Sequence, residues 1–363
     1  MTKHPLDATL EAATIDPDQR KEQHKSVKLG GAGWKYAFTR AIKTFLNAGG
    51  TDLAAKLTYF MVLSLAPGLL AIFSIITLVM ANNRDVVNDL VQDIVQNNVS
   101  ADYAPLVTDL VDTMMNQSTG GVIALIIGIL TAVWSASAFV KAFNRASNEI
   151  YGYQEGRGFV KLTAANLIAT VVGLVGIVLV LVCLAVNRAL VEGVVQPIAE
   201  PLGATEFMNF LMDSFLPVWA WVKWPVIVAL VLVMIAVLYY LTPNVKKPKF
   251  TVFGPGNIVA LVGMVLAAVG LSVYFATLGG YSSYGAIGGV MALLFALWVF
   301  NIVLLLGLAV DAEWERAKQL RAGIAAEEHL QLPPKDTSAL VKKTEAQQKL
   351  EQDGYALRAD SEL

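Results

Sequence analysis

Six stretches of the chain, 57–81, 121–143, 162–186, 218–242, 252–278 and 286–310, carry no charge or a single lysine over the length of a membrane crossing. A hydrocarbon layer about 30 Å thick needs roughly 20 helical residues, so each run predicts a transmembrane helix. Ahead of them, Trp34, Phe38, Ile42 and Phe45/Leu46 recur at helical spacing, with Lys35, Arg40 and Lys43 elsewhere around the helix. This predicts an amphipathic basic helix over 34–50, either lying on a membrane surface or packed against the ends of the spans. Between the first two runs, Val86, Leu90, Val91 and Ile94, then Leu106, Leu110, Val111 and Met114 beyond Pro105, predict an amphipathic helical hairpin over 82–118. The connection 187–217 is acidic and contains proline. Residues 1–33 lack an apolar period and predict a disordered tail. Residues 323–363 are polar and charged, predicting a short extension of the last helix followed by disorder. The fold class is all-α: a polytopic membrane protein with six transmembrane helices (51–322) in a compact bundle.

Charge orients this pattern. Lysine and arginine number 24 in the segments before span one, between spans two and three, between four and five, and after six, against 2, Arg84 and Arg188, in the other connections. By the positive-inside rule both tails face the cytosol. Composition agrees, with 56% hydrophobic and 15% charged residues where a soluble domain has nearer 25% charged. The single cysteine, Cys183, allows no internal disulfide and no cysteine metal site. The first residues show no apolar core of a signal peptide, so none is expected.

Hydrophobicity gives helices little reason to associate within lipid, where close backbone approach and interhelical hydrogen bonds take over. Small residues recur four apart in several spans: Ala124, Gly128, Ala132 and Ala136; Ala165, Ala169 and Gly173; Gly263 and Ala267; Gly288, Ala292 and Ala296. Together they predict close helix packing.

Enzyme signatures are missing from the spans. His4, His24 and His329 all lie in the tails, and no phosphate-binding glycine loop with lysine, HExxH or GxSxG motif is present. No catalytic residue, cofactor or metal is expected. The Lys246, Lys247 and Lys249 run sits where the positive-inside rule places charge, so nucleic acid is not an expected partner and membrane lipids are. The candidate polar groups near the spans are Lys56, Ser64 and Pro67, which either breaks the first span or leaves a tolerated kink, and Ser135, Lys141, Asn144, Arg145, Asn148 and Glu149 on the second. The latter predict either an anionic headgroup site or an interface anchor. Asn166, Asn257 and Asn301 are single amides within spans three, five and six, suited to gluing helices together or to contacting a ligand. Lys223, among Trp219, Trp221 and Trp224, reads as an interfacial aromatic belt.

The order of several motifs resembles the YihY/virulence factor BrkB family over about residues 34–323. They are Ala54-Ala55-Lys56-Leu57-Thr58-Tyr59-Phe60 with Leu63-Ser64-Leu65-Ala66-Pro67, Trp134-Ser135-Ala136-Ser137, Phe143-Asn144 and Glu149-Ile150-Tyr151. Leu238-Tyr239-Tyr240 with Pro243, Tyr281 and Tyr284-Gly285 follow, and Asp311-Ala312-Glu313 through Leu320 is similar to the actinobacterial branch. The resemblance implies a six-span cytoplasmic-membrane protein; members have been linked to serum resistance and envelope lipid export, and were once labelled ribonucleases. One departure stands out: the family's usual Gly-Ala-Glu at the end of span six is Gly307-Leu308-Ala309 here, leaving Asp311 and Glu313 as the nearby acids. Three functions compete: a transporter or flippase for an anionic envelope lipid or glycolipid, a non-transporting membrane scaffold, and a membrane hydrolase, which the absent catalytic groups disfavour.

Overall fold

A computed structural model describes residues 5–16, 27–79, 121–199, 204–277 and 285–360. The predicted outer hairpin over 82–118, Tyr281 and Tyr284 lie outside the described residues. The helices of eight or more residues are α1 (Pro5–Ala12), α2 (Gly31–Asn47), α3 (Gly50–Val79), α4 (Gly121–Tyr151), α5 (Phe159–Ala185), α6 (Leu216–Leu241), α7 (Pro255–Thr277), α8 (Gly285–Arg321) and α9 (Ser338–Asp360). Among the described residues the only β pairing is a single antiparallel bridge, Val245 to Pro334. Among the described residues four helices are long and apolar enough to cross a membrane: Phe159–Ala185, Glu206–Leu241, Pro255–Phe275 and Ile287–Arg321. The other two predicted runs fall on α3 and α4.

The six long helices pack in cyclic order, α3 to α8, each against the next and α8 back against α3. Helix α8 also touches α4, and α2 lies along it. The tightest approach joins α7 to α8. A methyl group added at Gly256 would stand 2.5 Å from the Gly307 carbonyl, and one at Gly307 would stand 2.7 Å from the Gly256 carbonyl. Only glycine lets two backbones come this close. Gly263, from the predicted stripes, also serves here, against Val303. Gly173 does not, since a methyl there would meet nothing. On α5 the packed face is instead Asn166, Ala169, Thr170 and Gly176, and Gly176 lies against Met234.

Burial is uneven along the bundle axis. The core (Phe45, Leu57, Phe143, Ile150, Tyr239, Leu305, Leu308, Ala309, Leu332) gathers at the end where α3 begins and α4, α6 and α8 finish. Elsewhere large apolar side chains of α5, α6 and α7 point outward (Ile168, Val175, Val228, Leu266), as lipid-facing helices require. The charged segments converge on that same end, which we term the junction.

Of the two readings of Pro67 the structure takes the tolerated one: helix α3 runs unbroken through it, as a membrane helix can when neighbours supply compensation. Three expectations change. Residues 1–33 were expected to be disordered, yet they contain α1, with Ala8, Thr9 and Ala12 buried. The last helix does not extend beyond Gly323. Gly323 is left-handed (φ 77°), and the Ile324 N–H returns to the Gln319 carbonyl at 3.0 Å, the two-residue stop that glycine provides. Nor are residues 324–340 disordered: they form a strap across the junction that buries Ala326, Leu330, Leu332 and Leu340. The strap comes closest at Gly156, where an added methyl would collide with the Asp336 carbonyl.

Helix α2 packs against the bundle, as one of its two readings has it. Ala37, Ala41 and Phe45 pack inward, while Trp34, Phe38, Ile42 and Leu46 form an exposed apolar stripe.

Candidate functional site

A helix leaves its last four carbonyls without partners, and they form the negative end of its dipole. Helix α6 ends inside the junction, so these carbonyls cannot turn to bulk water. Three side chains from distant parts of the chain reach them. Arg157 donates to Leu241 O at 2.8 Å and Thr242 O at 2.6 Å. Lys335 of the strap donates to Tyr240 O at 2.6 Å and Leu241 O at 3.1 Å. Asn144 donates to Thr242 O at 2.5 Å.

The collar is cross-braced. Both carboxylate oxygens of Glu155 accept from Arg157, at 2.8 and 2.7 Å. Asn148 accepts from the Asn244 N–H at 2.7 Å and donates to Glu155 at 3.0 Å. The Asn244 side chain donates to Gln154 O and Asp336 O, both at 3.0 Å, tying the strap to the connection between α4 and α5. The Tyr153 hydroxyl bridges Leu330 O and Leu332 O at 2.5 and 2.7 Å.

Electrostatics follow. Burial alone would raise Glu155, but the hydrogen bonds and charge of Arg157 hold its carboxyl below the usual range. Burial, reinforced by the charges of Arg157 and Lys247, pushes the Lys335 ammonium down to about 7. A hydrogen bond from Lys161, at 2.6 Å, and one from the Ser338 N–H hold Asp336 at about 2.

Two carboxylates anchor α8. Asp311 accepts from the Tyr151 hydroxyl at 2.8 Å and pairs with Lys247, whose ammonium also lies over the Tyr151 ring at 5.2 Å. Glu313 is 1% exposed; it takes Arg316 at 2.8 Å, Arg40 at 3.1 Å and the Thr44 hydroxyl at 2.8 Å. Arg40 and Thr44 sit on α2, so Glu313 fastens the surface helix to the bundle. Ala309 itself is fully buried in the core, and the acidic groups of this region are Asp311, Glu313 and Glu315.

The polar cluster predicted on the second span divides in two. Asn144 and Asn148 face inward and belong to the collar. Arg145 and Glu149 are exposed, and Lys141 is half-buried, 5.3 Å from the Trp134 ring. The two asparagines are therefore not placed beside the cations as a joint headgroup cradle. Lys56 is exposed on α3, Ser135 is half-buried, and the Ser64 hydroxyl donates to Met61 O in its own helix. Gly285 opens α8. Asn257 caps the turn before its own helix through Thr251 O and Val252 O, each at 2.9 Å. Asn301 donates to the Thr58 hydroxyl at 3.1 Å and Leu297 O at 3.0 Å, joining α8 to α3. Asn166 is buried on α5. Its carbonyl oxygen, like that of Asn301, has no partner.

Arg157, Glu155, Asn244, Lys335 and Tyr153 were not singled out from the sequence. A signal existed: Leu330-Gln331-Leu332 alternates with period two before Pro333-Pro334, an extended pattern inconsistent with continued helix or disorder.

The chain is 27% identical over 277 residues to a protein of Bacillus subtilis (strain 168) named as ribonuclease-like, YfkH, covering 75% of this chain and 92% of that one. No solved structure matches. The sequence model of the virulence factor BrkB family matches residues 41–330, which span the end of α2, the six long helices and the strap as far as Leu330, and the chain therefore belongs to that family.

Proposed function

We propose that the protein crosses the cytoplasmic membrane six times, with both tails in the cytosol, and translocates an anionic envelope lipid or glycolipid without acting as an enzyme. One observation carries the reading: the collar takes up Asn144 and Asn148 of α4 but neither the half-buried Lys141 nor the exposed Arg145. Lys56 lies exposed on the adjacent α3, about two turns from the junction. Cations where an apolar helix emerges from lipid attract anionic headgroups. The collar beneath is a rigid base, because its cations are bound to carbonyls and carboxylates.

The test is headgroup translocation in reconstituted vesicles. The Lys141→Gln/Arg145→Gln variant should translocate at least roughly 10-fold more slowly, at about 1 kcal/mol per cation, with unfolding unchanged. Parent-like rates in that variant rule out the rim as the headgroup site.

A scaffold reading draws on a different observation, the exposed Trp34/Phe38/Ile42/Leu46 stripe held out by Glu313. It is preferred if the parent protein translocates no lipid under any ion gradient while loss of the stripe abolishes function. The ribonuclease-like name of the Bacillus relative has little support in this chain's chemistry. Its histidines lie outside the spans, and the buried Arg157 and Lys335 are occupied with helix carbonyls. Purified protein should leave RNA intact.

A further inference from the structure

Helices α5 and α6 run antiparallel from the junction, so Ala185 and Leu216 meet at the opposite end of the bundle, about 40 Å away by helix length. There the turn after α5 and the first turns of α6 enclose a cavity of about 270 Å3. Its lining is apolar (Val186, Met212, Leu216, Pro217) except for Asn187, Arg188, Trp219 and Lys223. Two features go beyond an interfacial anchor. Among the described residues the buried Trp219 indole N–H has no acceptor, and a buried donor without a partner carries a desolvation penalty that an acceptor would relieve. Lys223 is half-buried with no carboxylate partner among the described residues, its ammonium 5.7 Å from the Trp224 ring. Arg188 at the mouth is exposed and shares its charge with Glu192 at 2.8 Å.

An indole donor and two cations in an otherwise mostly apolar lining suit a ligand with an anionic oxygen and a hydrocarbon body. We propose that this cavity binds the phosphodiester headgroup of an anionic glycerophospholipid, which accepts from Trp219 and Lys223 while its chains lie along α5 and α6. The exposed apolar faces of those helices, with Trp221 and Trp224 beside the cavity, put the site at interfacial depth. The site deepens the lipid reading above and rests on it for its assignment to the outer leaflet; binding itself does not require transport.

Native mass spectrometry of the full chain in detergent, titrated with phosphatidylglycerol and with phosphatidylcholine, tests this. The parent should retain one more phosphatidylglycerol than the Arg188→Gln/Lys223→Gln variant, with affinity falling roughly fivefold per cation removed. Trp219→Phe, which keeps the ring and deletes the donor, should also weaken binding. Phosphatidylglycerol retention equal to the parent in both the double variant and Trp219→Phe overturns the proposal, leaving Lys223 an interface anchor. Equal retention of phosphatidylcholine, or displacement by millimolar inorganic phosphate, overturns the anionic lipid as ligand. Binding without vesicle translocation sinks only the transport reading, and translocation without binding sinks only this site.

Discussion

Glu313 shows how much depends on single buried charges in the junction. It neutralises Arg316 and reaches Arg40 across to α2. Removing one partner of a buried pair leaves an uncompensated charge, which destabilises by about 3–5 kcal/mol. Glu313→Ala should therefore lower the midpoint of thermal unfolding and release α2, seen as faster hydrogen exchange over residues 31–47; an unchanged midpoint would mean that water replaces the carboxylate. Lys335 makes the junction sensitive to pH. Its folded value of about 7 lies below the unfolded one, about 10.4, so the unfolded chain binds more protons between the two. Stability should rise with pH from about 7 towards 10, stay flat in this respect below 7, and lose that slope in Lys335→Met. Thermal unfolding of parent and variant across pH 6–10 measures the difference. Asn257 and Asn301 were recognisable from the sequence as single amides in apolar runs, and Asn144 and Asn148 as members of the polar cluster that ends the second span. Their partners were not, because Thr242, Asn244 and Glu155 are unremarkable until the chain folds back on itself.

At the scale of elements, α7 and α8 meet through glycine while α5 keeps an open one. Gly307→Ala should separate α7 from α8 and destabilise by roughly 1–3 kcal/mol, the usual range for overpacking. Gly173→Ala, facing nothing, should be neutral or slightly stabilising through helix propensity. Measuring both in one detergent separates close packing from mere smallness. The contrast also marks what pattern alone conveys. Apolar runs located the long helices, since hydropathy reports transfer into lipid directly. A stripe of small residues reports only that an approach is sterically allowed; which stripe is used depends on the neighbour, as Val303 and Gly307 decide for α7. Charge density concealed the strap, whose Leu330 and Leu332 are too few to stand out in a polar tail.

For the whole molecule, the bundle is held at one end by a packed, hydrogen-bonded core and elsewhere presents apolar side chains outward. Conformational change for transport would therefore hinge on the junction and open at the far end. The strap should be indispensable to this base. Gly156→Val, which blocks its closest approach, should expose residues 324–340 to protease and lower the unfolding midpoint, whereas trimming the exposed half of α9 from residue 350 should do neither. A protease pattern identical in parent and Gly156→Val would show that the strap tolerates displacement.

The strap also sets an order in time. The carbonyl of Leu241 waits for an ammonium 94 residues later in the chain, on Lys335. At 5–20 residues per second of synthesis, the open end of α6 is exposed for roughly 5–20 s after it is made. During that interval α7 and α8 must enter the membrane beside a helix whose carbonyls are only partly capped, by Arg157 and Asn144. A nascent chain stalled between residues 321 and 335 would carry all of its apolar helices and still lack its closure, which makes it a natural target for membrane proteolysis.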